Sequence, residues 1–134
     1  MRAAIVLVGA LALPCAAQPA AVAPWMTGEW LARLYTGDDI SDIAEGYGRY
    51  TREDRIDIRT RIAKERADAY VDGVHDATEG KQWCYSALTR PKPSTLREEV
   101  IWGLRAMPPE SLKRNASDLI VEIWRKKWPC GGKP

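Results

Sequence analysis

The sequence predicts an all-α protein, a small bundle of four to five helices closed by one disulfide. Three observations carry this. Apolar residues recur three and four positions apart in segments separated by Gly and Pro, the spacing that lines up one helix face. No strand signal of any length appears. Of the three cysteines, Cys15 lies in a segment with the character of a leader, which leaves Cys84 and Cys130 as an even pair with a single connectivity.

Residues 1–17 have the features of a signal peptide. Arg2 supplies a positive start, and the apolar run from Ala3 to Leu13 falls short of the roughly 20 residues that span a bilayer. Pro14 breaks the run, and Cys15-Ala16-Ala17 offers small residues to a signal peptidase, so cleavage is expected after Ala17. A lipid anchor on Cys15 is disfavoured, because Pro14 stands where a small residue belongs and Ala12 where Leu is usual. An Ala/Pro-rich linker at 18–24 then leads into a single helical domain, residues 25–134. Export would place the protein in an oxidising compartment, where a Cys84–Cys130 bridge persists.

The first helix starts near Thr27 and runs to Tyr35, with Trp30, Leu31 and Leu34 on one face. Thr36-Gly37-Asp38 ends it. From Asp39 to Tyr50 the periodicity is weak, and Ile40, Ile43, Ala44 and Tyr47 suggest a short helix. The second main helix begins at Thr51, an N-cap candidate with Glu53 and Asp54 in the first turn, near the helix's positive end. Its expected stripe is Ile56, Ala63, Ala67, Tyr70, Val74 and Ala77, and its charged residues form the solvated face. A polar loop after Gly80 carries Trp83-Cys84-Tyr85 and ends in Pro91-Lys92-Pro93. The third helix is expected to open at Thr95 with Glu98 completing a capping box, to bury Leu96, Val100, Ile101 and Leu104, and to stop at Pro108-Pro109. The last runs from about Asn115 to Trp128, with Ala116, Leu119, Ile120, Ile123 and Trp124 inward and Arg125-Lys126-Lys127 at its negative end. Cys130 follows at once, so the bridge ties the loop after the second main helix to the end of the last.

Composition narrows the function. The formal charge of +2 falls to +1 once Arg2 leaves with the leader, which gives no electrostatic argument for nucleic acid or an acidic membrane. Six Trp occur with no Phe. Trp30, Trp102, Trp124 and Trp128 are expected in the core, where Trp stands in for Phe, while Trp25 and Trp83 are left open. No catalytic constellation stands out. His75 is the one imidazole, its neighbour Asp76 points about 100° away on a helix, and bridged cysteines offer no thiol. Gly46-Tyr47-Gly48 lacks a phosphate-loop context, no Cys-x-x-Cys is present, and neither a metal nor a cofactor is expected.

The segment Tyr70-Val71-Asp72-Gly73-Val74-His75-Asp76-Ala77, followed by Gly80, Trp83-Cys84 and the closing Trp128-Pro129-Cys130, resembles the Tai/Rap family of type VI secretion immunity proteins. The spaced Leu96, Val100, Leu104, Pro108, Ala116, Leu119 and Val121 extend the likeness over about residues 66–130. A second cysteine pair of that family is not matched, Ala67 standing where one of its members falls. The segment also has a physical rationale: Gly73 permits close approach of a neighbouring helix, and Asp76 can bond the backbone of the following loop.

The resemblance implies a non-enzymatic helical protein that binds and occludes a secreted toxic effector, typically a peptidoglycan amidase, and that assembles as a homodimer. Loops carry such contacts more often than packed faces, and Lys81, Gln82, Tyr85 and Arg90 stand on the stiffened loop from Thr78 to Pro93 as candidate partner-binding residues. The competing class is a general periplasmic helical binding or chaperone-like protein, marked by partner promiscuity and pH-dependent exposure of apolar surface. A third, an enzyme, would need His75 for turnover.

Overall fold

A computed structural model describes residues 22–37, 51–86 and 88–131. The predicted signal peptide with Cys15, most of the linker, the short helix expected between 39 and 50, and Gly46-Tyr47-Gly48 lie outside the described residues. Those that are described form five helices: α1 (Gly28–Thr36), α2 (Arg52–Thr78), α3 (Pro93–Arg105), the single turn α4 (Pro109–Leu112) and α5 (Ala116–Lys127). They contain no sheet, only isolated bridges between Thr27 and Asn115 and between Glu79 and Trp83.

Local chemistry sets most of the ends. Thr27 Oγ1 accepts from Trp30 N at 3.1 Å to start α1, and Gly37, at φ 73°, closes it in the left-handed conformation that glycine adopts without penalty. At α2 the Thr51 hydroxyl accepts from Asp54 N while the Asp54 carboxylate accepts from Thr51 N, a complete capping box. Those bonds hold the Asp54 carboxyl below the usual carboxylate range. Asn115 caps α5 by accepting from Ser117 N at 3.0 Å. The third helix departs from expectation. Its N-cap is Lys92 and Pro93 fills the first turn, so the Thr95–Glu98 capping box does not form. Proline's fixed φ and missing N–H suit that first turn, which draws the N-cap three residues upstream, from Thr95 to Lys92.

Packing brings α1 against α2 and α3, and α5 against α3 and α2. Leu31, Leu34, Ala63, Ala67, Val71, Val100, Leu104, Leu119, Ile120, Trp83 and Trp124 form the fully buried centre. On α2 the buried positions are Ala63, Ala67, Val71, Val74 and Thr78. Steps of four select Val71 over the expected Tyr70, which is half-buried, and Ala77 faces out. Ile56 is 51 % exposed. At 1.5 Å per residue α2 is roughly 40 Å long and α1 roughly 14 Å, so α1 covers only part of it.

The tryptophans divide by angular position. Trp124 is fully buried, and Trp30 and Trp128 are half-buried against the core. Trp102, expected inside, is 66 % exposed, with the Arg105 guanidinium 5.6 Å from its ring centre. It follows the buried Val100 by two positions, about 200° around the helix, and therefore points away from the bundle. Trp83 is buried and Trp25 exposed.

Glycine roles are also reassigned. A Cβ on Gly73 would meet nothing within 4 Å, so this glycine does not mediate close helix approach. Gly103 does: a Cβ there would lie 2.5 Å from Ile123 Cδ1 and 2.6 Å from its Cγ1. Gly73→Ala is expected to stabilise the protein by about 0.5–1 kcal/mol through better helix propensity. Gly103→Ala is expected to cost about 1–3 kcal/mol through overpacking of α3 on α5. Urea unfolding of the two variants checks the pair, and equal effects of the same sign would refute the assignment.

Candidate functional site

The last turn of α2, the following loop and the end of α5 converge on Trp83. Thr78 Oγ1 donates to Val74 O at 2.6 Å and accepts from Trp83 Nε1 at 2.9 Å, so the buried indole N–H is satisfied. The Trp83 ring lies 4.8 Å from Trp124, 5.5 Å from His75, 5.8 Å from Tyr85 and 6.0 Å from Trp128, centre to centre. Cys84 and Cys130 are bridged, with Cα atoms 4.8 Å apart, and Cys84 N donates to Trp128 O at 2.9 Å. Arg125 Nε adds a bond of 3.1 Å to Gln82 O. The loop is thereby fixed to the end of α5 by a covalent bond, hydrogen bonds and tilted, packed rings.

The four candidate contact residues fall into two groups. Tyr85 and Arg90 come together, the guanidinium 5.8 Å from the ring centre. Desolvation and the neighbouring Glu79 carboxylate raise the Tyr85 phenol above its usual range. Lys81 turns back to α2, donating to Ala77 O at 3.1 Å, and Gln82 is exposed.

Beside this loop lies a cleft of about 570 Å³ between α2, the Arg90–Pro93 segment, α3 and α5. Buried Val71, Leu96 and Trp124 form its apolar base. Trp124 Nε1 donates to Leu96 O at 3.1 Å, which locks the ring in place. Charged residues surround the base. Arg97 makes a two-pronged contact with Asp72, Nε to Oδ1 at 3.0 Å and Nη2 to Oδ2 at 2.5 Å, and approaches Asp68 at 3.7 Å. Behind this pair Tyr35 is partly buried, and desolvation, reinforced by Asp68, raises its phenol well above the ordinary value.

His75 also lines the cleft. Its Nδ1 lies 2.8 Å from Asp76 Oδ1, and its Nε2 lies 3.8 Å from Glu79 Oε2. The sequence had placed Asp76 out of reach of this ring and against the following loop. Rotamers of adjacent side chains close the gap that the backbone angle opens, and Thr78 contacts Trp83 in the loop instead. The described residues lining the cleft include no Ser, Thr or Cys to accept activation by this pair. Among the described residues no three His, Cys, Asp or Glu side chains are grouped as a metal site.

Sequence reasoning did not find this cleft. Asp68 and Asp72, four apart on α2, signal a shared face, but their partner Arg97 is 25 residues beyond Asp72 and only packing of α3 supplies it. No described helix is long and apolar enough to cross a membrane. A comparison with curated proteins finds no match. Residues 36–130, which include the Tyr70–Ala77 segment, the Trp83 loop and both bridged cysteines, match the sequence profile of the Rap1a immunity proteins. With most of its length covered by that match, the chain belongs to the family of Rap1a immunity proteins.

Proposed function

We propose that the protein is a periplasmic immunity protein that binds a type VI secretion effector, a peptidoglycan amidase, and neutralises it by occlusion without catalysis. The observation that carries this reading is the family match over residues 36–130. The Cys84–Cys130 bridge supports it, since an oxidising compartment favours such a bond. Assembly as a homodimer is part of the same proposal.

The effector contact is proposed to centre on Lys81, Gln82, Tyr85 and Arg90. Their loop is held by the bridge and by Trp83, so little conformational entropy is lost on docking. Tyr and Arg are also the residue types that most often dominate binding energy.

The test is periplasmic expression of candidate amidase effectors with and without this protein, scored by lysis. Rescue is expected with one of them. Replacing the four loop residues together by Ala is expected to weaken effector binding about 100-fold while leaving the thermal midpoint within a few degrees. Full protection by that variant would remove the loop from the interface.

A further inference from the structure

We infer that the cleft between α2, the Arg90–Pro93 segment, α3 and α5 receives an acidic segment of the partner protein, an Asp or Glu side chain next to an apolar one. The partner's identity rests on the immunity reading above, whereas the chemistry of the guest rests on the cleft itself.

Its volume of about 570 Å³ is in the range of pockets that enclose a ligand, with room for a few side chains. Val71, Leu96 and Trp124 are each no more than 5 % exposed, so they close the base as a packed floor, and the apolar surface open to a guest is that of Pro91 and Pro93 set against it. That surface accommodates an aliphatic or aromatic side chain.

The charged groups around it are unevenly committed. Asp72 is occupied by Arg97, and Asp76 lies in hydrogen-bond contact with His75. Arg90 and Lys92, both exposed and both lining the cleft, have no carboxylate within ion-pair distance among the described residues. Arg90 is steadied over the Tyr85 ring, and Lys92 is held between Pro91 and Pro93, whose rings restrict the backbone. Two cations without an ion-pair partner among the described residues, Arg90 steadied on its ring, outnumber the one exposed carboxylate beside them, Asp76, and favour an anion at the mouth. A cationic guest would be repelled there, and a purely apolar guest would partly desolvate both cations without compensation. A carboxylate beside an apolar side chain satisfies mouth and base together.

The experiment uses the full bridged chain labelled with nitrogen-15 and two probes, acetyl-Glu-Leu-Glu-amide and acetyl-Lys-Leu-Lys-amide. The acidic peptide is expected to move the Trp124 indole and the Val71 and Leu96 amide signals saturably, with the lysine peptide giving no such response. R90E/K92E is expected to weaken acidic-peptide binding about tenfold or more. Both positions are exposed, so an unchanged amide spectrum outside the cleft confirms an intact fold.

Equal response to the two peptides, no response at millimolar concentration, or binding insensitive to R90E/K92E overturns the inference. A second arm measures R90E/K92E against the cognate effector, where a similar loss is expected. Effector affinity unchanged by R90E/K92E overturns the inference and leaves immunity intact. Failure of the wild type to recognise any effector is instead a failure of the immunity reading, and the peptide titration then decides the chemistry of the cleft alone.

Discussion

Trp83→Ala is expected to lower the unfolding free energy by about 4 kcal/mol, in the middle of the usual range for truncating a buried aromatic. Three losses combine at this side chain. Its ring is fully buried, so truncation removes apolar burial and leaves a cavity beside Trp124. Its aromatic neighbours Trp128, Tyr85 and His75 lose a shared packing partner. The Thr78 hydroxyl loses its donor while remaining buried. Trp83→Phe provides the control, because it keeps one aromatic ring in the site while removing the indole N–H and the fused second ring. A smaller cost of about 1–2 kcal/mol is expected there. Urea unfolding followed by far-ultraviolet circular dichroism measures both, and a Trp83→Ala cost below about 1 kcal/mol would show that the ring cluster does not organise this end of the bundle.

The second large effect is expected at the bridge. Cys84 and Cys130 are 46 residues apart, and opening a loop of that length should cost about 4 kcal/mol in the chain-entropy model. Most of this acts on the unfolded chain, which gains conformations once it is no longer cross-linked. The paired replacement Cys84→Ser with Cys130→Ser should therefore match wild-type protein in reductant. It should also retain the folded-state bond from Cys84 N to Trp128 O, since that bond uses only backbone.

Effector affinity offers a further check on the same pair. At a temperature where the double-Ser protein is still folded, its affinity is expected within a few-fold of wild type, with loss of protection appearing only as the fold melts. A large affinity loss in a fully folded double-Ser protein would mean that the bridge shapes the contact surface directly. Because Trp83 and Cys84 are adjacent and act on one junction, the two substitutions should not add. The combined cost is expected to fall short of the sum, as the second change acts on a loop already loosened by the first.

Much of the architecture was legible because it depends on local chemistry. The Thr51 N-cap, the Gly37 stop, the Asn115 start and the placement of Cys130 just past the last helix use residues within a few positions of one another, so the sequence displays both partners side by side. The single pairing of Cys84 with Cys130 followed from parity once Cys15 was assigned to a leader. The family resemblance was legible for a similar reason, since its ordered motifs lie on the scaffold that the match over 36–130 spans.

Two of the errors have a common source. Trp102 was placed inside and Gly73 at a helix contact because residue type suggests burial or close approach, but type does not say which way a position faces. Position 102 points away once Val100 and Leu104 are chosen as the inward pair. Gly103, one residue on, faces Ile123. The start of α3 moved for a different local reason, because Pro93 outcompetes Thr95 for the first turn.

The candidate contact residues show the same division. Tyr85 and Arg90 were visible as loop residues, yet their stacking depends on the course of the chain between them. Lys92 and Arg97 were invisible as site residues, because a cleft is formed by elements distant in sequence. Sequence alone determined the helical class, the cap-defined helix ends, the bridge and the family, all of which arise from short-range chemistry or from ordered motifs. Only the tertiary structure decided which faces meet: it buried Trp83 beneath the bridged loop, exposed Trp102, and joined Arg97 to Asp72 beside an apolar cleft. The physical reason is that local bonds set where a helix begins and ends, whereas its rotation and its neighbours are chosen by the collective packing of all the helices.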